Sequence, residues 1–486
     1  MKRIYIILSI LLAGCSLTMA QHSTYTDYFI KTSQTRSSMN PAFTPRHGYV
    51  GFPLLSNIYV DVRTNTLNLD HLTFQKGGAE RLTFMHPDVT SAEFLDNMAD
   101  NNYLAADFSY KMFTAGFYAG KQFWTLDLGI RAHADLNITK GLFNLLKEGF
   151  SSELTENSAP IKYDMKNIGG SVSAFGELAV GYSRSFLKNS LSAGIKTKVL
   201  LGLGNVDLNI DRLDMEYGYN QWKAGAQASL SGSVNGISVK YKDDGSFDSL
   251  DFNDYSFGFP GWGLGFDLGV AYDFKNLSEI VNINFLSYIL ERTRVSMAFT
   301  DIGFISWGAK SSIELKSPNT ETVIDFGELN FEDEGQLENQ ITKFMDDIQG
   351  ALNLTNTDNV QGRSTSLRTN MNIGLEYEFW KDNMSLGLLS STQFEKLHNV
   401  TEFTMSVNYN PIKVKWIAVS LSYSFIHSRF NTFGFALHLA PSKGVNLFIA
   451  SDYIIPHVSG EFIPTTSRAL NVQFGMSIPL GSNRLD

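Results

Sequence analysis

Nine histidines stand at positions 22, 47, 71, 86, 133, 398, 427, 438 and 457, and no pair has the close helical spacing of a zinc site. The single cysteine, Cys15, lies in the N-terminal apolar stretch, so no disulfide can form within the chain. Serine is plentiful, yet no G-x-S-x-G elbow presents one as a nucleophile. Gly261, Gly263, Gly265 and Gly269 suggest a phosphate loop at first sight. Their spacing is not the dinucleotide G-x-G-x-x-G, and no helical pattern follows. Instead Trp262, Leu264, Phe266, Leu268, Val270, Tyr272 and Phe274 fall on every second residue, with small or acidic residues between them. No enzyme activity, metal or cofactor is expected.

What remains is charge on strand faces. Asp127, Arg131 and Asp135 lie opposite the apolar set Leu126, Leu128, Ile130 and Leu136. Lys196, Lys198, Asp267, Asp273, Glu376 and Glu378 occupy equivalent positions in three other alternating segments. Such residues either line a selective pore or cross-brace a filled lumen, and the pattern leaves both open.

Period-two alternation is the organising signal of the chain. It marks about fourteen strands, near 49–62, 105–118, 123–137, 173–186, 191–205, 262–274, 294–305, 368–379, 384–393, 402–409, 414–425, 431–440, 445–455 and 468–480. Short turns at 119–122, 187–190, 380–383, 410–413 and 441–444 are offset by long connections at 63–104, 138–172, 206–261 and 306–367. Outer-membrane barrels show this asymmetry. The connection 275–293 departs from it, being long where a turn is expected. Trp124, Trp262, Trp307, Trp380 and Trp416 map to strand ends, as interfacial girdles require, while Trp222 sits in a long connection.

Composition agrees. Among 486 residues there are 36 Phe, 20 Tyr and 40 Gly but only 12 Pro, and beyond the N-terminus no apolar run is long enough for a membrane helix. The formal charge of −10 disfavours nucleic acid as a partner. Lys2 and Arg3 precede an apolar stretch, a secretory signal. Cleavage after Ala20 is the adopted reading. Leu12-Ala13-Gly14-Cys15 also fits a lipobox, which would lipidate Cys15. Short helices are expected after Thr90 or Ser91, over 142–149, and over 336–353 with Leu337, Ile341, Phe344 and Ile348 on one face. The expected fold is therefore all-β: a transmembrane antiparallel β-barrel of about 14 strands, set in outer-membrane lipid.

Asn40-Pro41-Ala42, ahead of the first strand, resembles the N-P-A of FadL-like and PorV-like outer-membrane barrels. The segments "RSSMNPAFTP", "GYVGFPLLSNIYV", "KGLFNLLKEG", "GFDLGVAYDF" and "DIGFISWG" are similar to a Bacteroidota outer-membrane barrel family classed only as a domain of unknown function. The resemblance implies a fourteen-stranded FadL-like barrel. It also implies a hatch inside that barrel, carried by Asn40, Pro41 and Ala42. On that basis residues 1–20 are a signal peptide, 21–48 a hatch-like segment, 49–480 the barrel and 481–486 a tail. The implied function is a passive channel for small hydrophobic molecules. The alternative is a PorV-like adaptor that meets a secretion or surface protein through its long external loops.

Overall fold

The computed structural model describes residues 23–75, 81–84, 86, 88–148, 159–218, 222–241, 247–251, 254–275, 290–317, 321–324, 354–356, 362–380, 383–394, 399–411, 414, 416–426, 430–440, 444–454 and 468–481. The signal peptide expected at the N-terminus, with Cys15, the helix expected over 336–353 and most of 275–293 lie outside them.

The alternating segments form strands β1 (Gly48–Gly51, continued by Asn57–Thr64), β2 (Asn101–Ala119), β3 (Gln122–Thr139), β4 (Ile161–Phe186) and β5 (Leu191–Tyr217). They continue as β6 (Gly261–Asp273), β7 (Thr293–Trp307), β8 (Asn370–Phe379), β9 (Met384–Phe394) and β10 (Asn399–Tyr409). The last are β11 (Ile417–Ile426), β12 (Phe430–Leu439), β13 (Asn446–Ser451) and β14 (Ala469–Leu480). Neighbours pair antiparallel, and β14 returns to β1 through Gly48↔Leu480 and Val60↔Val472. The result is a closed antiparallel barrel of 14 strands, as the alternation predicts. Closure removes every free edge, which matters because unpaired backbone is costly in hydrocarbon.

The two faces of the wall have opposite chemistry. Leu126, Leu178, Val180, Leu388, Leu421 and Ile449 are exposed on the outside, whereas Asp127, Lys196, Asp267 and Glu376 are buried within. A water-soluble barrel would turn these faces the other way. Along β4 and β5 the pattern then inverts. Beyond Val172 the outer face carries the ion pairs Lys162–Glu216 at 3.1 Å, Lys166–Asp164 at 2.9 Å and Arg212–Asp214 at 2.9 Å. The inner face there becomes apolar, with Met165, Ile168, Leu213 and Met215 packed on Leu145 and Leu230. The apolar band thus ends on the strands themselves, and their far halves build a water-facing cap at the long-loop end.

That cap includes strand Trp222–Val234, which pairs with β5, so Trp222 opens a strand rather than sitting in a loop. Helices α1 (Ser91–Leu95) and α2 (Lys140–Glu148) also belong to it. Thr90 caps α1 by accepting the Glu93 N–H at 3.3 Å, while the Glu93 side chain accepts from the Thr90 N–H at 2.9 Å. Phe94 and Phe143 bring the two helices together, their ring centroids 5.5 Å apart.

One tryptophan corrects the girdle reading. Trp262, Trp380 and Trp416 are exposed at strand ends, but Trp307 is buried, and its indole N–H donates to Thr365 at 2.9 Å. The alternation of β7 places it inward with Ile305.

Candidate functional site

The lumen collects nearly every charged side chain that the barrel strands bury. Its short-turn end is occupied by residues 23–47, which run inside the wall before entering β1. Asn40 is fully buried; its amide donates to Tyr28 Oη at 3.3 Å and to the Val270 carbonyl at 3.4 Å. Its Oδ1 accepts the Ala42 N–H at 3.0 Å, an Asx-type turn that holds Pro41 between them. The wall is shaped to receive this turn. A Cβ on Gly269 would lie 2.1 Å from Asn40 Oδ1, and one on Gly194 would lie 2.1 Å from the Pro41 carbonyl oxygen. Glycine is required at both positions by close approach.

Other contacts tie the segment around the wall. Asp452 accepts the Tyr25 and Thr26 N–H groups at 3.0 and 2.7 Å, and Gln473 accepts the Thr24 N–H at 2.9 Å. His438 meets Asp27 at 2.7 Å, Lys31 pairs with Glu378, and Asn372 donates to the Met39 carbonyl at 2.9 Å. Tyr28 and Phe43 meet edge to face at 5.1 Å, and Ala42 packs in the same buried cluster.

Above this segment lie layers of ion pairs. Asp127 is held by Lys196 at 2.9 Å and Lys111 at 3.2 Å; Lys111 also donates to Ser38 at 2.7 Å. In the next layer Arg131 bridges Glu177 at 2.7 Å and Asp301 at 2.8 Å, while Lys198 joins Asp267 at 2.7 Å and also binds Asp301. Beside the segment, at the short-turn end, Asp273 takes both arms of Arg294 at 2.7 and 2.9 Å, and Glu376 lies 3.5 Å from the same guanidinium. Asp135 sits 3.6 Å from His133, which contacts Asp107; Asp107 is shared with Arg63 and Arg368.

All nine charged candidates therefore face the lumen, and most fall into two shared networks. Sequence pattern does not single out Asp301, Arg294, Arg363, Arg368 or the Asp27–His438 pair. Asp301 has φ of 60°, a left-handed residue that interrupts the period of β7 and turns its carboxylate inward. Arg363 lies in the long connection 306–367, and Arg368 stands at the first position of the segment expected over 368–379, ahead of its clear alternation.

Free volume is uneven. Between the two ion-pair layers the space shrinks to about 10 Å³, room for about one water. Towards the long-loop end it widens to a cavity of about 520 Å³ bordered by Arg131, His133, Asp135, Ser173, Asn205 and Arg363 among others. Among the described residues the lumen is thus a cup, open above and filled below.

Residues 41–452 match the model of a family of unknown function, DUF5723. The chain belongs to that family. No curated protein was found to match it. Solved structures similar to this DUF5723 chain include a Pseudomonas aeruginosa FadL homologue, at 10% identity and a TM-score of 0.41, covering 95% of this chain and 98% of that one. The Pseudomonas putida toluene transporter TodX follows at 7% identity and 0.33, covering 95% and 93%. The CymD monoaromatic hydrocarbon channel matches at 8% and 0.28, covering 96% of each chain. The barrel of the DUF5723 chain stands on its own strand pairing rather than on these distant likenesses.

Proposed function

We propose that the protein is an outer-membrane barrel acting as a passive channel for small molecules, closed at rest by residues 23–47. The observation that carries this reading is the glycine-lined seat at Gly194 and Gly269, into which the Asn40-Pro41-Ala42 turn fits. The segment is a separate length of chain held to the wall by hydrogen bonds and ion pairs together with one apolar cluster, and each of these is a contact that a hatch can release. The apolar outer band, bounded by charges on β4 and β5, supports the membrane setting. The resemblance to FadL-like barrels implies a hydrophobic solute. The described lining offers such a solute only a few apolar contacts, Phe175, Ile305, Leu367 and Phe394, among many polar groups.

A second reading, the adaptor, draws on the filled lower lumen and on exposed aromatics near the long-loop end. Phe257 is 77% exposed and its ring lies 5.7 Å from that of Phe259. One experiment separates the two readings. Replacing Asn40 and Pro41 by alanine frees the turn while leaving the wall intact. In planar bilayers the channel reading expects a conductance well above that of the parent protein. A folded double variant with unchanged conductance favours the adaptor.

A further inference from the structure

The cavity above the ion-pair floor has a chemistry of its own. Its cations are already matched: Arg131 by Glu177 and Asp301, Arg363 by Asp207, and Arg368 by Asp107. An anionic ligand would have to break one of these pairs, and a cationic one would have to displace His133 from Asp135, 3.6 Å away, at the cost of leaving a charge uncompensated in a confined site. The neutral groups are the ones available. Asn205 is buried, donates to the Val172 carbonyl at 3.1 Å, and has no partner for its Oδ1. Ser173, on β4, lies across from Asn205 on β5 and from His133 on β3, all three on the lumen face. Ser171 donates to Asp207 at 2.6 Å, and Thr365 accepts from Trp307.

Beside these polar groups stand Phe175, Ile305 and Phe394. The wall thus combines many donors and acceptors, paired charges and a few apolar surfaces. A wholly hydrophobic solute would strip water from Asn205 and the hydroxyls without replacing its hydrogen bonds, at roughly 1–3 kcal/mol for each group. A solute with several hydroxyls and a C–H face satisfies both kinds of surface.

We propose that this cavity binds a small uncharged polyhydroxylated solute, a saccharide of one or two rings. Its volume of about 520 Å³ lies in the range of small-molecule sites. The inference deepens the channel reading by naming a solute class, and it rests on that reading for the site's role in passage, though not for binding itself.

The test uses the full mature protein purified in detergent, with glucose and maltose as probes and toluene and acetate as contrasts. Calorimetry measures binding, and indole fluorescence follows Trp307 through its bond to Thr365. Saturable binding of at least one saccharide is expected. It should weaken about tenfold or more in Ser173→Leu and in Asn205→Leu, recover in Ser173→Thr, and persist in Phe257→Ala. Failure of both saccharides to bind the parent protein overturns the proposal. So does saccharide binding that both leucine variants retain, or a cavity that takes toluene or acetate in their place. Conductance of the Asn40→Ala, Pro41→Ala variant is recorded in parallel. Conductance without saccharide binding sinks this inference and leaves the channel standing; binding without conductance does the reverse.

Discussion

Asp301 shows how much of the lumen hangs on single residues. A left-handed backbone costs a non-glycine residue about 1–2 kcal/mol. Here it aims one carboxylate at both Arg131 and Lys198, and the Asp301 N–H donates to Asp267 at 2.7 Å. Replacing Asp301 by alanine leaves two buried cations with only Glu177 and Asp267 to answer them. Loss of about 3–5 kcal/mol is expected, read as a lower urea midpoint for the folded barrel. Gly194 makes a complementary case, because its neighbour is backbone and cannot rotate away. Gly194→Val should push Pro41 off the wall, so the barrel stays folded while conductance rises. A variant as tightly closed as the parent would mean that the turn is not what closes the lumen.

At the scale of elements, the period of two was enough to place all fourteen strands, because bilayer and lumen impose opposite chemistry on alternate residues. Where one strand passes from bilayer to water the rule reverses, and there the period no longer marks the strand's extent. β4 and β5 run to Ile161 and Tyr217, well past the expected limits at 173 and 205, because their far halves bury Met165 and Leu213 inward instead of facing lipid outward. β1 hides a different irregularity. Pro53 and Leu54 bulge outward between Phe52, whose N–H donates to the Met476 carbonyl at 2.9 Å, and Leu55, whose carbonyl accepts the Met476 N–H at 2.8 Å; Leu54 has φ of 64° and its carbonyl is taken by Tyr110 at 3.1 Å. Pro53, which lacks an N–H, was the one legible sign. The charged lumen residues were legible as a face. Their pairing was not, since it depends on which strands meet across the barrel. The outward assignment can be tested on β11. Leu421 is 57% exposed between Ser420 and Ser422. Leu421→Arg should cost about 2–4 kcal/mol near the midplane. Folding that is insensitive to this charge would remove the apolar outer face from contact with lipid.

For the molecule as a whole, direction in the membrane follows from how its two ends are built. The short-turn end holds residues 23–47 and the entry into β1, so the chain reaches the barrel from that side. The long-loop end carries the cap, with charged groups outward on β4 and β5 and apolar groups packed within. A large folded cap is compatible with the cell exterior, whereas tight turns suit the periplasmic side. Cysteine labelling in intact cells makes this concrete, because the only native cysteine, Cys15, lies in the N-terminal apolar stretch, outside the barrel strands. Phe257→Cys sits near the cap and is 77% exposed, while Trp380→Cys sits at a short turn and is 64% exposed. A membrane-impermeant maleimide should therefore label the variant at 257 in whole cells. The variant at 380 should react only after the outer membrane is breached. Comparable exposure makes accessibility, rather than local burial, the variable being read. Labelling at 380 alone would turn the barrel over and put the saccharide-sized cavity on the periplasmic side, with residues 23–47 closing it from outside.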